Sequence, residues 1–197
     1  MKQLNERQES ILLSLKRLDF LNRDQLQRLH RLGKVRNANR ILSELSLYLQ
    51  SFREGYQSIY YLSKLGREYV DSQKVRRKNQ FVNHVIMRND YFLHVGAPSS
   101  FKNEIKLTDG VDTVIVDAIY KKDNRYIMLE VDSTQKMKAN REKVNKYKSI
   151  MKRGAVQQSW GYFPHIVWLT TTELRRKQLK ELCKDLPCEV YTIQDIK

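Results

Sequence analysis

The chain opens on apolar stripes at helical spacing, each preceded by a polar start signal. Asn5-Glu6-Arg7-Gln8 and Asn22-Arg23-Asp24-Gln25 both set Asn three residues ahead of Gln, the pattern of a capping box. Ile11, Leu12, Leu15 and Leu18 follow the first signal; Leu26, Leu29 and Leu32 follow the second, with Gly33 as a stop. A third helix is predicted from about residue 35 to 48, with Val35, Ala38, Ile41, Leu42 and Leu45 on one face. The pattern then turns to that of strands. Residues 49–52 and 58–62 flank Arg53-Glu54-Gly55-Tyr56-Gln57, a hairpin with a glycine-containing turn, and 63–70 reads as a capped closing helix.

Helix, helix, helix, hairpin, helix is the order of a winged helix-turn-helix, and the run YYLSKLGREYV resembles the end of many such domains. In that arrangement the third helix enters the major groove of double-stranded DNA, with Arg36, Asn37, Asn39, Arg40 and Ser43 near its leading, solvent-facing side. Arg and Asn make bidentate hydrogen bonds to base edges, and Lys34 and Arg53 are candidates for phosphate contacts. A helix-rich DNA-binding domain is therefore expected over residues 1–73. The competing reading is a protein–protein module with an ordinary polar face.

Residues 71–79, DSQKVRRKN, are nearly free of apolar side chains and read as a linker or an exposed helical extension. The second domain is expected over 79–197. A helix over 80–95 is broken by Ala97-Pro98-Ser99-Ser100. Strands follow at 101–107, 111–120 and 126–131, then a helix at 136–153 and a buried strand at 166–170. Thr170-Thr171-Thr172-Glu173 reads as a capping box for a helix to about residue 184, and 188–193 is a last strand. The order αβββαβαβ predicts an α/β domain with helices on both sides of a mixed sheet.

Composition narrows the function classes. At 41% hydrophobic residues the chain can bury cores, so disorder is not the default. An excess of 37 Lys+Arg over 22 Asp+Glu, net +15, calls for a polyanionic partner, nucleic acid before membrane. No apolar run approaches the roughly 18 residues of a membrane span. MKQLNERQESILL reads as the start of an amphipathic helix rather than a signal peptide. Cys183 and Cys188 lack a His cluster to make a zinc site with, which fits a reduced, cytoplasmic protein. His30, His84, His94 and His165 are too scattered for the three-His metal cluster of a tyrosine-nucleophile relaxase, and a GxxxxGK[ST] phosphate loop is absent.

Acids stand out against this basic background. VIVDAIY presents Asp117, and IMLEVD presents Glu130 and Asp132, on strands joined by a short polar turn. A tight hairpin sets Asp117 and Glu130 at neighbouring ladder positions, and Glu130 and Asp132, two apart, share a face. A helix carrying Lys136, Lys138, Arg141, Lys143, Lys146, Lys148, Lys152 and Arg153 follows at once. Such a stripe attracts a phosphate backbone or is simply a solvated face. The acids themselves either gather a cation or pair with Lys121, Lys122 and Arg125, and Asp132-Ser133-Thr134 is also a plausible helix cap.

The αβββαβ order with Asp117 on the second strand and Glu130-Val131-Asp132 on the third resembles the PD-(D/E)xK restriction-endonuclease-like superfamily. The LEVDST run, Lys143 and the Lys146-Tyr147 pair behind a winged helix narrow the likeness to the replication-relaxation family of plasmid and mobile-element proteins. That resemblance implies metal-dependent phosphodiester cleavage, with Asp117, Glu130 and Asp132 as candidate ligands of Mg²⁺ or Mn²⁺, ions that favour hard oxygen donors. Asp132 stands where the superfamily motif has lysine, so Lys143 or Lys146 is the candidate source of the catalytic amine. Glu104 is a further candidate ligand. Two functions follow from the resemblance: a DNA endonuclease or nickase, or a non-catalytic replication factor or regulator. In the second, the nuclease-like domain serves as a clamp or homodimerisation platform.

Overall fold

The computed structural model describes residues 3–196. Contacts divide the chain into two compact units, Met1–Asn89 and Asp90–Lys197.

The first unit contains α1 (Glu6–Leu18), β1 (Leu21–Asn22), α2 (Arg23–Leu29), α3 (Val35–Glu44), β2 (Leu49–Glu54), β3 (Gln57–Leu62) and α4 (Lys64–Tyr69). Both capping boxes form: Asn5 accepts from the Gln8 amide and Asn22 from the Gln25 amide, while each Gln side chain bonds back to its cap. Ile11, Leu12, Leu15 and Leu18 of α1 are buried together with Leu26, Ala38, Ile41 and Leu42. The strands form an antiparallel sheet in the order β1-β3-β2. This is the arrangement of a winged helix-turn-helix. Gly66 explains part of the YYLSKLGREYV likeness, because a Cβ there would lie 2.0 Å from the Tyr48 carbonyl oxygen. Only glycine lets α4 approach that closely.

Two details differ from expectation. The third helix stops at Glu44 rather than 48, since Leu45, Ser46 and Tyr48 bond three residues back in tight turns. β1 was invisible as a pattern because it is two residues long, pairing Leu21 with Tyr60 and Asn22 with Ile59.

The polar stretch 71–79 forms neither helix nor strand. Arg76 donates twice to the buried Asp19 carboxylate, at 2.9 and 2.6 Å, and Lys78 pairs with Glu54 at 2.9 Å. Its cations are thus committed largely within the first unit. The contact division falls later, inside α5 (Val82–His94). Val82 and Ile86 pack with Phe20 and Ile59, and Asn89 donates to the carbonyls of Leu18 and Phe20.

In the second unit the strands β4 (Lys102–Thr108), β5 (Thr113–Lys122), β6 (Arg125–Asp132), β7 (His165–Thr170) and β8 (Cys188–Thr192) form one sheet in chain order. β4, β5 and β6 are antiparallel neighbours, and β6, β7 and β8 run parallel. Between them come α6 (Met137–Arg153), the short α7 (Ala155–Trp160) and α8 (Glu173–Leu182). Val144, Tyr147 and Ile150 of α6 and Leu179 of α8 pack with Met128, Ile166, Trp168 and Val190 on one face of the sheet. Phe92, on α5, stacks edge-on to Phe101 at 5.0 Å, and Phe101 stacks on Tyr120 at 5.9 Å, covering the other face. The result is a mixed α/β unit with the αβββαβ core of a restriction-endonuclease-like fold, extended by α8 and β8.

Here too the caps differ from the sequence reading. Thr172, not Thr170, caps α8, accepting from the Arg175 amide, because Thr170 is still a buried member of β7. Lys136 precedes α6 without any side-chain cap bond. α7 was not anticipated. Gly154, in the left-handed conformation at φ 78°, ends α6 and starts α7, a conformation glycine adopts without strain. Among the described residues no helix is long and apolar enough to cross a membrane.

Candidate acid–lysine site at the edge of the sheet

The site is made where two strands part. The β5–β6 ladder runs from Lys122↔Arg125 to Ala118↔Leu129 and stops. Past that point the Val131 amide donates to Asp117 Oδ2 at 2.7 Å, so a side chain takes up a donor that the ladder no longer serves. Asp117 is half-buried there. On its outer side β4 is irregular as well. Asn103↔Ala118 and Ile105↔Val116 pair, but Glu104 between them has φ 54° and is exposed.

Glu130, the neighbour of Asp117 across the gap, is only 1% exposed. Lys143 Nζ donates to its Oε2 and Tyr147 Oη to its Oε1. Lys143 and Tyr147 are four apart on α6 and therefore share a face, which α6 presents to the sheet. Burial first, and the Asp117 charge second, push the Glu130 carboxyl up to about 8, against the opposing pull of Lys143 and Tyr147. Burial alone would lower the Lys143 ammonium, but Glu130 and Asp117 outweigh it and its pKa is raised. Both groups hold their protons tightly, Glu130 chiefly through burial and Lys143 through the two nearby carboxylates.

Asp132 belongs to a different network. Its carboxylate is fully buried and accepts two bonds from Arg175, Nε at 2.6 Å and Nη2 at 2.5 Å. Asn140 Nδ2 adds a bond at 2.8 Å and Thr170 Oγ1 another at 2.8 Å. With both oxygens engaged in this way, Asp132 ties β6 to α6, β7 and α8. Lys146 also departs from expectation: it is exposed, and its Nζ is 3.5 Å from the Thr113 carbonyl rather than near Glu130. Two of the turn cations lie over aromatic rings. Lys121 lies over the Tyr126 ring at 5.0 Å and Arg125 over Tyr162 at 5.4 Å.

Among the described residues no three His, Cys, Asp or Glu side chains converge as a metal cage. The donor set that does suit a divalent cation is the pair Asp117 and Glu130. They are hard oxygen donors whose simultaneous ionisation is opposed by burial and mutual repulsion, a cost that a cation relieves.

In the first unit Lys34, Arg36, Asn39, Arg40, Ser43 and Arg53 are exposed, while Asn37 is half-buried. Asn37 donates its amide to the Leu32 carbonyl at 2.8 Å, and Arg40 is held by Glu44 and by the Asn37 oxygen. Arg36, Asn39 and Ser43 remain the more available part of the α3 surface.

The replication-relaxation family pattern matches residues 12–166, which takes in nearly all of the first unit and the whole acid–lysine edge. The chain belongs to the replication-relaxation family. No curated protein matches it. Among solved structures, protein VC1899 from Vibrio cholerae is 13% identical with a TM-score of 0.42, over 96% of this chain and 47% of that one. Can2 from Sulfobacillus thermosulfidooxidans, solved with cyclic tetra-adenylate, is 11% identical with a TM-score of 0.36, over 94% and 49%. The restriction endonuclease FokI is 12% identical with a TM-score of 0.37, over 100% and 45%. The chain spans about half the length of each of these structures.

Sequence reasoning missed Arg175, which lies 43 residues from Asp132 and carries no local signal, and it gave Tyr147 no role at this site. The four-residue spacing from Lys143 could have revealed Tyr147.

Two outcomes follow. Arg175→Ala leaves the Asp132 charge buried without its main partner and is expected to destabilise the protein by about 3–5 kcal/mol in denaturant unfolding. Glu130 gives a pH signature. Its folded pKa of about 8 lies above the ordinary carboxyl value of 4.5, so the native state holds the extra proton and stability falls as pH rises from 4.5 to 8. In Glu130→Gln the melting temperature is expected to decline less over that interval than in the parent. Parallel declines would show that Glu130 ionises normally.

Proposed function

We propose that this protein binds double-stranded DNA in plasmid or mobile-element replication or mobilisation and cleaves phosphodiesters with Mg²⁺ or Mn²⁺. The observation that carries the reading is the Lys143 ammonium, delivered from α6 onto Glu130 beside Asp117. It supplies the amine that Asp132 cannot, from a different backbone position.

In this reading Asp117 and Glu130 hold the cation, and Tyr147 and Lys143 fix the orientation of Glu130. The bound cation supplies charge neutralisation on the scissile phosphate and an activated water. Lys143, charged and partly exposed at 22%, meets the charge that develops on the phosphate. Lys138, Arg141, Lys146 and Lys152 on the exposed side of α6 attract the DNA backbone. Exposed Arg36, Asn39 and Ser43 on α3 meet base edges, and Lys34 and Arg53 meet phosphates.

A second reading, a DNA-binding replication factor without cleavage, is favoured by one observation. Both Glu130 oxygens are already occupied, by Lys143 and Tyr147, in a nearly closed environment. Supercoiled plasmid separates the two. Under the first reading, Mg²⁺ or Mn²⁺ converts plasmid to open-circle or linear DNA. Chelator stops the conversion, and Asp117→Ala or Lys143→Ala slows it by roughly 10²-fold or more while DNA retardation persists. Protein that retards DNA but leaves plasmid intact with both metals would establish the second reading.

A further inference from the structure

The second unit has another concave place, remote from the acid–lysine edge. Met128, Ile166, Trp168 and Val190 belong to the core beneath α6. Their strand neighbours Ile127, Val167, Glu189 and Tyr191 consequently face the other way. On that opposite side, near the start of β6, lies a cleft of about 780 Å³. That is within the range of roughly 300–1,000 Å³ common for small-ligand sites.

The lining combines three chemistries. At its base the phenols of Tyr91 and Tyr120 meet at 3.0 Å, both nearly fully buried. Along one side Tyr191 donates to Glu189 Oε2 at 2.5 Å, and His165 Nε2 lies 3.9 Å from the same oxygen. Lys122, exposed at the end of β5 and on the same strand face as Tyr120, brings an ammonium group, whereas Lys121 Nζ turns to the other face over the Tyr126 ring, and His94 adds an exposed ring. Burial pushes the Tyr91 and Tyr120 phenols up, and the bond to Glu189 pushes Tyr191 up to about 12. All three hydroxyls therefore stay protonated donors at neutral pH. Tyr91, Tyr120 and Val167 also belong to the buried core, but Lys122, His94, His165, Glu189 and Tyr191 are not buried and are not part of the acid–lysine site.

We propose that this cleft is a nucleotide-binding site, with phosphate at Lys122, the base against the Tyr191 and His94 rings, and its amino edge toward Glu189. Lysine is a compact point charge suited to phosphate. Aromatic rings accept any base by stacking, and a carboxylate accepts hydrogen bonds from an exocyclic amine. A simple anion would be repelled by Glu189, and a purely apolar ligand would leave Lys122 without a counter-charge. The same chemistry is offered by a free nucleotide and by the terminal nucleotide of a DNA strand.

The test is amide and side-chain NMR of the full chain, titrated separately with dAMP, a 5′-phosphorylated adenine-containing hexanucleotide and inorganic phosphate. Saturable shifts are expected at Tyr120, Lys122, His165 and Tyr191 with dAMP. Lys122→Glu, a change at an exposed position, should weaken binding by roughly tenfold, and Tyr191→Ala should weaken it as well. Tighter binding of the hexanucleotide supports a strand end as the source; equal or weaker binding supports the free nucleotide. The proposal is overturned if these residues do not respond up to about 10 mM dAMP, if both variants bind dAMP like the parent, or if phosphate alone reproduces the response.

Discussion

A carboxylate buried beside another carboxylate is an expensive arrangement, and the second unit is built around one. Glu130 is almost wholly removed from solvent and faces Asp117 across the point where β5 and β6 stop pairing. Left alone, it would take up a proton permanently or force the strands apart. Lys143 and Tyr147, four apart on α6, satisfy its two oxygens. α6 is therefore docked by polar chemistry at one point and by Val144, Tyr147 and Ile150 elsewhere along its face. Tyr147 serves both purposes, with its ring in the core and its hydroxyl at the site. The same feature gives the edge its chemical potential, because one ammonium does not balance two acids.

The neighbouring Asp132 shows how a different solution removes an acid from chemistry. Arg175 meets it with a planar two-pronged contact, and Asn140 and Thr170 complete its shell. The charge of Asp132 is matched there, while Asn140 Oδ1 stays buried without a hydrogen-bond partner, at a joint between β6, β7, α6 and α8. Glu130 and Asp132 are two residues apart on one strand and face the same side, yet one is met by a lysine and a tyrosine of α6 beside a second acid and the other by an arginine of α8.

Much of the fold was legible in the sequence, for local reasons. Capping boxes at Asn5 and Asn22, the change from helical to strand period after α3, and the acid-bearing hairpin all rest on neighbours in the chain. What escaped depended on distant partners. β1 exists only because Leu21 and Asn22 find β3, and Asp132 owes its role to Arg175 on a later helix. Helical spacing could nominate both Lys143 and Lys146, but only packing decides which faces the sheet. Val144 and Tyr147 are buried on the inner face beside Lys143, and Lys146 is left outside.

In the proposed function, Asp117 and Glu130 would hold a divalent cation, and Lys143 partly offsets their charge without it. Crystals soaked in Mn²⁺ and measured at an anomalous wavelength test it directly. The account predicts an anomalous peak bridging Asp117 and Glu130, with Asp132 still held by Arg175. A peak at Asp132, or none at the edge while Glu130 remains closed by Lys143 and Tyr147, would contradict it.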